Sequence, residues 1–270
     1  MYQKPLKKFL PVLLAFALLP FGMLAGALTG SKAFGAESRS VYRSVDVSVW
    51  QGQIDFREVK HSGIDAVYIR AGEGSNYIDS QFEKNYESAR SAGLKYGFYH
   101  YVTARSVSEA KQQADFFARL IRNKPQDMRA AMDFENLSGL TASEAVSIAK
   151  AYLKRLEQQT GHTPAVYSDA SDAESVWRSN LTDYPLWVAD YGVREPYSIG
   201  GWKTWSGFQY SSRGTIGGIH GHVDLDRFRG DIFLTDKEQK KAKKARHDYN
   251  RKHDGCCCYE EPSDCNISKK

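Results

Sequence analysis

The sequence predicts an α/β protein, an irregular TIM-like (β/α) barrel with about five βα units followed by three loop-joined strands. Three observations predict it. From residue 44, short β-rich runs alternate with helical patterns, which is the signature of parallel βαβ units. Eight such runs lie between positions 44 and 228, enough to close a barrel. After residue 169 the helical patterns thin out, so the last strands are joined by loops. An open doubly wound sheet is the alternative, but A-G-E-G at 71–74 does not match the G-x-G-x-x-G phosphate loop.

The elements follow in order. S-V-D-V-S-V (44–49) alternates with period two, and D-F-R-E-V-K-H-S-G after it is a short helix closed by Gly63. D-A-V-Y-I-R-A (65–71) is a strand, and residues 80–93 form a helix stopped by Gly93. K-Y-G-F-Y-H-Y-V (95–102) is the third strand. Residues 106–122 open on a capping box, Ser106 with Glu109, and run as a helix. M-R-A-A-M-D-F-E (128–135) is the fourth strand. A second capping box, Thr141 with Glu144, starts a helix that reaches Gly161. T-P-A-V-Y-S-D (163–169) is the fifth strand, followed by a short helix near 171–179. Strands at 185–191, 206–211 and 222–228 complete the set. The barrel is thus expected over 44–235, after a linker at 37–43. The segment 236–270 has many charges, no apolar stripe and all four cysteines (Cys256, Cys257, Cys258 and Cys265). It is expected to be a solvated helix or a flexible tail.

Composition bounds the function classes. The 270-residue chain is 41% apolar and 26% charged, with 13% aromatic residues. The first two values are ordinary for a globular protein, while the aromatic share is high. Sugar-binding clefts are one use for such rings. The net charge of +5 belongs to the ends: residues 1–38 and 236–270 each carry +3, and the middle carries −1. No basic stripe interleaved with aromatics is present, so nucleic acid is not an expected partner. Lys4, Lys7 and Lys8 precede an apolar run from Phe9 to Leu28, and Ala33 and Gly35 fit the −3 and −1 positions of a cleavage site. Residues 1–36 are therefore expected to be a signal peptide. An uncleaved membrane anchor is the alternative, which Pro11 and Pro20 disfavour. Either way the domain is expected outside the cytoplasm, secreted and associated with the cell wall or held at its N-terminus.

Chemistry in a βα barrel gathers where the loops leave the carboxyl ends of the strands. That rule selects Asp46, Asp133, Glu135, Asp190, Asp224 and Asp226. In A-M-D-F-E (131–135), Asp133 and Glu135 share one face of a strand, with Cα atoms ~6.5–7 Å apart. Ala131 lies below them, and Met132 and Phe134 face the helices. Carboxylates crowded at one mouth suit glycoside hydrolysis, in which one acid protonates the leaving oxygen and another stabilises an oxocarbenium-like transition state. Crowding raises the acid's pKa and keeps it protonated near neutral pH. A D-x-E pair alone is weak evidence, since such pairs more often serve a surface or an ion pair.

Further stretches sharpen the reading. V-D-V-S-V-W-Q-G-Q-I-D-F (45–56), G-I-D-A-V-Y-I-R-A-G-E-G (63–74), G-F-Y-H-Y (97–101), A-M-D-F-E (131–135), L-W-V-A-D-Y (186–191) and the run from Phe208 to Phe228 resemble glycoside hydrolase family 25, the Chalaropsis-type lysozymes. The resemblance spans roughly 43–234. It implies a barrel of the kind above and cleavage of the β-1,4 bond between N-acetylmuramic acid and N-acetylglucosamine in peptidoglycan. Residue by residue, it puts the general acid at Glu135 and its partner at Asp133, which would stabilise charge or orient the acetamido group. Asp46 and Asp224 would set the pKa values of that pair. Tyr99, Tyr101, Tyr167, Trp187 and Gln209 fall where the family lines its groove, and Asp190 is placed there too. Phe208 departs from the Trp usual in the family, and no wall-binding repeats follow the barrel. A non-catalytic glycan-binding domain, or a glycosidase for another N-acetylated polysaccharide, are the alternatives.

Other motifs carry less. H-G-H-V-D (220–224) sits beside a glycine-rich turn and is not read as a metal site. His100, among aromatics in a strand, is read as a packed group. No G-x-S-x-G elbow is present, so acyl transfer is not expected. No cofactor is expected, the partner is peptidoglycan glycan strands, and the protein is expected to be a monomer.

Overall fold

The computed structural model describes residues 41–253. The expected export segment 1–36, the beginning of the linker and the four cysteines lie outside the described residues. In chain order the strands are β1 (Tyr42–Val47), β2 (Ala66–Glu73), a two-residue β3 (Tyr77–Ile78), β4 (Lys95–Tyr101), β5 (Ala131–Asp133), β6 (Ala165–Asp169), β7 (Leu186–Ala189), β8 (Gly207–Gly214) and β9 (Val223–Phe228). The helices are α1 (Phe56–His61), α2 (Phe82–Ser91), α3 (Val107–Ile121), α4 (Ala142–Thr160), the three-residue α5 (Ala170–Asp172) leading into a π-helical turn, and α6 (Asp236–His253).

Eight strands close the barrel. From β1 the pairing runs through β2, β4, β5, β6, β7 and β8, all in parallel. β9 then closes the ring antiparallel to both β8 and β1. The small β3 is a hairpin arm on β2 and stands outside the ring. β9 thus runs backwards. Its first residues, not its last, lie at the end where the other strands finish: Asp224 pairs with Asp46 in register.

Alternation along each strand separates two cores, as period-two side chains must. Val45, Val47, Met132 and Phe134 face the helices and join the larger cluster. Tyr68, Tyr99, Ala131, Tyr167, Trp187 and Phe228 fill the barrel interior. Ala131 inside, with Met132 and Phe134 outside, agrees with the sequence reading. The interior is crowded enough to require Gly97, where a Cβ would stand 2.7 Å from the Tyr68 ring and from Met128 Cβ. The Thr141–Glu144 capping box forms in both directions, whereas at Ser106 only half of it does: Ser106 accepts from the Glu109 backbone, but the Glu109 carboxylate accepts from the Arg105 backbone instead, at 2.8 Å.

One expectation differs from the structure, and a second is narrowed by it. The fourth strand is paired only over Ala131–Asp133, shorter than 128–135, because Met128 instead bridges to Phe233 and the chain turns after Asp133. The segment after Thr235 is a helix over residues 236–253, one of the two states expected, and what the sequence did not show is that it is clamped to the barrel. Glu238 grips the guanidinium of Arg129 at both oxygens, 2.5 and 3.1 Å, and accepts from the Thr235 backbone at 3.0 Å. Arg122 lies 3.2 Å from the centroid of the Tyr249 ring. Gly161, left-handed at φ 77°, ends α4 where a Cβ would come within 3.3 Å of Ala245. The signal is present in T-D-K-E, a second Thr-x-x-Glu box. It caps a helix whose hold on the barrel is ionic, and no apolar stripe announces that.

The clamp predicts a pH-dependent contribution. Glu238 is buried enough to be pushed up, but its bonds to Arg129 and Thr235 dominate and hold it down at about 2. A carboxylate with a depressed folded pKa stabilises above its unfolded value and loses that contribution as pH falls through the folded value. Glu238→Gln is therefore expected to cost about 1 kcal/mol at pH 7, discounted for its partial exposure. Thermal melts of both proteins should converge as pH falls from the unfolded range toward about 2. An unchanged gap in acid would show that charge is not the cause.

Candidate active site

Three strands and the turn after one of them bring carboxyls together at the mouth. Asp46 stands near the end of β1, Asp133 ends β5, Asp224 and Asp226 enter on the reversed β9, and Glu135 follows two residues past β5. Their burial is graded. Asp226 (1% exposed), Asp46 and Asp133 (each 6%) are buried, Asp224 is half-buried, and Glu135 is solvent-exposed at the rim. Asp133 and Glu135 are hydrogen-bonded to each other. Glu135 has left the ladder, yet its carboxyl stays beside that of Asp133.

A chain of hydrogen bonds holds the deeper acids. The hydroxyls of Tyr167 and Tyr191 both donate to Gln209 Oε1, at 2.9 and 2.7 Å. Gln209 Nε2 donates to Asp46 Oδ2 at 2.7 Å. Asp46 in turn is bonded to Asp226, and Asp226 Oδ1 accepts from the indole of Trp187 at 2.8 Å. Asp226 Oδ2 and Asp133 Oδ1 are buried with no partner beyond the neighbouring carboxyls, as expected where protons are shared between acids.

Removing these groups from water dominates their titration. Burial, then Asp224, pushes Asp46 well above the usual carboxylate range. Burial, then the charge of Glu135, does the same to Asp133, and the bond to Glu135 adds to it. Asp224 is raised to about 6 by burial and by Glu135. Glu135 is raised by burial, although its bond to Asp133 opposes the rise. Both acids of the pair are thus raised, and they titrate as a unit. Arg70 faces Asp133 and pulls it down only weakly, because its guanidinium is committed to Asp79 at 2.8 Å.

The residues expected to line a groove divide into several groups. Tyr99, Tyr167 and Gln209 are buried beneath the acids and form a floor, while Tyr101 is half-buried at the edge. Trp187 is 1% exposed and stacks on Tyr68 with centroids 4.7 Å apart, so it belongs to the barrel interior and does not reach the groove. Asp190 accepts from the Tyr197 backbone at 2.7 Å and ties down the loop after β7. His100 is fully buried against Phe117 and Tyr152 and bonded to the Tyr152 hydroxyl at 3.0 Å. Burial drives it to about 3, so it is a packed group, as read from the sequence.

Sequence reasoning misses the exposed rings of the rim. Trp50 (82% exposed) follows β1, and Tyr191 and Tyr197 follow β7, so all three leave from strand ends at the mouth. It also passes over Asp169, which raises Glu135 by its charge. Asp169→Asn keeps the oxygen that caps α5 but deletes that charge. The substitution is expected to move the alkaline limb of the pH–rate profile to lower pH. An unmoved limb would remove Asp169 from the electrostatics of the mouth.

Three comparisons agree with this geometry. Residues 45–219 match the model of Glycosyl hydrolases family 25, a span that includes Asp46, Asp133 and Glu135. The autolytic lysozyme of Clostridium acetobutylicum is 35% identical over 192 residues, 71% of this chain and 57% of that protein. Lysozyme M1 of Streptomyces globisporus is 32% identical over 217 residues, 76% of this chain and 74% of that one. Among solved structures, the bacterial lysozyme from Streptomyces coelicolor superposes with a TM-score of 0.63 at 31% identity, covering 76% of this chain and 99% of that one. The lysozyme from Aspergillus fumigatus gives 0.60 at 27%, covering 75% and 99%.

Proposed function

This chain belongs to glycosyl hydrolase family 25, and from that premise we propose that it hydrolyses the β-1,4 bond between N-acetylmuramic acid and N-acetylglucosamine in peptidoglycan. The observation that carries the reading is the coupled pair Asp133 and Glu135, one buried and one at the rim, in a mouth of raised carboxyls. A domain that only bound glycans would have no use for acids held so far from their ordinary range.

Glu135 is the acid that a glycosidic oxygen can reach. A glycan lying across the mouth displaces water from Glu135 and raises its hold on the shared proton, which Glu135 then donates to the leaving oxygen. Asp133, left ionised, faces the positive charge that develops at the anomeric carbon or orients the neighbouring acetamido group. The charge of Asp46 helps to keep Asp133 raised, and Gln209, held by the Tyr167 hydroxyl, keeps Asp46 in position. The exposed rings of Trp50, Tyr191 and Tyr197 offer stacking faces for sugar units on either side. The site of action is outside the cytoplasm, at the wall.

Digestion of purified peptidoglycan tests this directly. New reducing ends on N-acetylmuramic acid are expected. Released peptides without new reducing ends would overturn the reading.

A further inference from the structure

A second cavity, of about 400 Å³, lies at the opposite end of the barrel from the carboxyls. Its walls are the start of β4 at Tyr96, residues 124–127 ahead of β5, the last turn of α4, and one face of α6. Five cations line it: Arg122 and Lys124 from the barrel, and Lys240, Lys243 and Arg246 from α6. Two carboxylates, Asp127 and Asp236, oppose them. Asp127 is turned aside, accepting from the Tyr96 backbone at 3.2 Å and facing Lys95 at 3.7 Å.

The cations are unequally committed. Lys124 pairs with Glu83 at 2.8 Å, and Arg122 stacks on Tyr249. The ion pairs on α6 use Glu238, Lys244, Asp248 and Arg251. Lys240, Lys243 and Arg246 have no ion pair among the described residues. Holding three like charges together on consecutive turns costs stability unless an anion joins them. One more atom points the same way. Gln126 lines this cavity, and its Oε1 is buried without a hydrogen-bond partner while its nitrogen sits 3.2 Å from His162. An orphaned acceptor calls for a donor, and a simple anion has none to give. A ligand with both a phosphate and hydroxyls satisfies the cations and Gln126 together.

We infer that this cavity binds a polyol phosphate, and that the source is a water-borne phosphodiester polymer at the cell surface. A lipid surface fits less well. α6 presents no large exposed apolar side chain among the described residues, so it has no face to sink into a bilayer. A polymer held here would leave the carboxyl mouth, at the other end of the barrel, free to work on glycan. That consequence rests on the hydrolase reading, whereas the binding itself does not.

Calorimetric titration of the full chain with glycerol phosphate, a three-unit glycerol phosphate oligomer and phosphatidylglycerol vesicles tests the inference without using activity. The oligomer is expected to bind at low ionic strength and to weaken about tenfold or more as salt is raised. The combined Lys240→Gln, Lys243→Gln and Arg246→Gln variant is expected to lose at least about tenfold in affinity, with its melting temperature without ligand slightly raised by relief of the like-charge repulsion and its hydrolysis of glycan fragments unchanged. Tighter binding of oligomer than monomer supports a polymer source, and equal binding per phosphate keeps the site but assigns it to a small solute. No binding of either, binding indifferent to the three substitutions, or binding of vesicles alone would overturn the inference.

Discussion

Glu135→Gln is expected to lower kcat on peptidoglycan by about 10²–10⁴-fold, the range over which a positioned general acid contributes. The change is isosteric and the residue is exposed, so folding should survive. Stability should even rise slightly. A carboxyl whose folded pKa lies above its unfolded one stabilises the fold fully below the unfolded value, and that contribution is lost as pH rises through the folded value. At neutral pH the ionised form is therefore a burden that the amide lacks. Asp133→Asn should show the same pairing more strongly, with a higher melting temperature and lower turnover, because Asp133 is the more deeply buried of the two. Steady-state kinetics alongside thermal melts at pH 7 reads both. Near-normal turnover by Glu135→Gln would remove it as the acid, and a large drop in melting temperature would mean that the carboxylate is structural.

Trp187→Ala should cost about 3–5 kcal/mol of stability, as expected for an aromatic deleted from a filled interior. The ring touches four others: Tyr68 at 4.7 Å, Tyr167 at 4.8 Å, Phe228 at 5.6 Å and Tyr99 at 6.1 Å between centroids. Trp187→Phe separates packing from hydrogen bonding. It keeps most of the volume but takes the indole N–H away from Asp226, leaving a buried carboxyl short of a donor at a cost of about 1–3 kcal/mol. Because Trp187 lies beneath the floor, the Phe variant is expected to leave KM nearly unchanged. Denaturant unfolding and KM on glycan fragments measure the two effects. A large rise in KM with little loss of stability would return Trp187 to the groove.

The two predictions differ in how far the sequence foreshadows them. Glu135 is legible because its chemistry is carried by residue type and by the local spacing of A-M-D-F-E. The groove assignment of Trp187 fails because L-W-V-A-D-Y shows only that a strand holds a Trp. Whether that ring reaches solvent depends on how wide the barrel is and on what Tyr68 and Phe228 occupy across it. Neither is encoded near residue 187. The rim rings Trp50 and Tyr197 escape the sequence for the same reason, since exposure is a property of the assembled surface.

Local patterns determined the strands, the N-cap at Ser106 and the capping box at Thr141, the inward Ala131 and the outward Met132 and Phe134. Each of these follows from side-chain direction within one element. Tertiary structure alone decided three things. It reversed β9, so that Asp224, at the beginning of its strand, lies beside Asp46 at a mouth that the other strands reach with their ends. It joined Gln209, Asp46, Asp226 and Trp187 into one hydrogen-bonded chain across strands far apart in sequence. And it buried Asp133 while leaving Glu135 at the rim, because the sequence states how close two carboxyls are, while only the fold states how much water each one keeps.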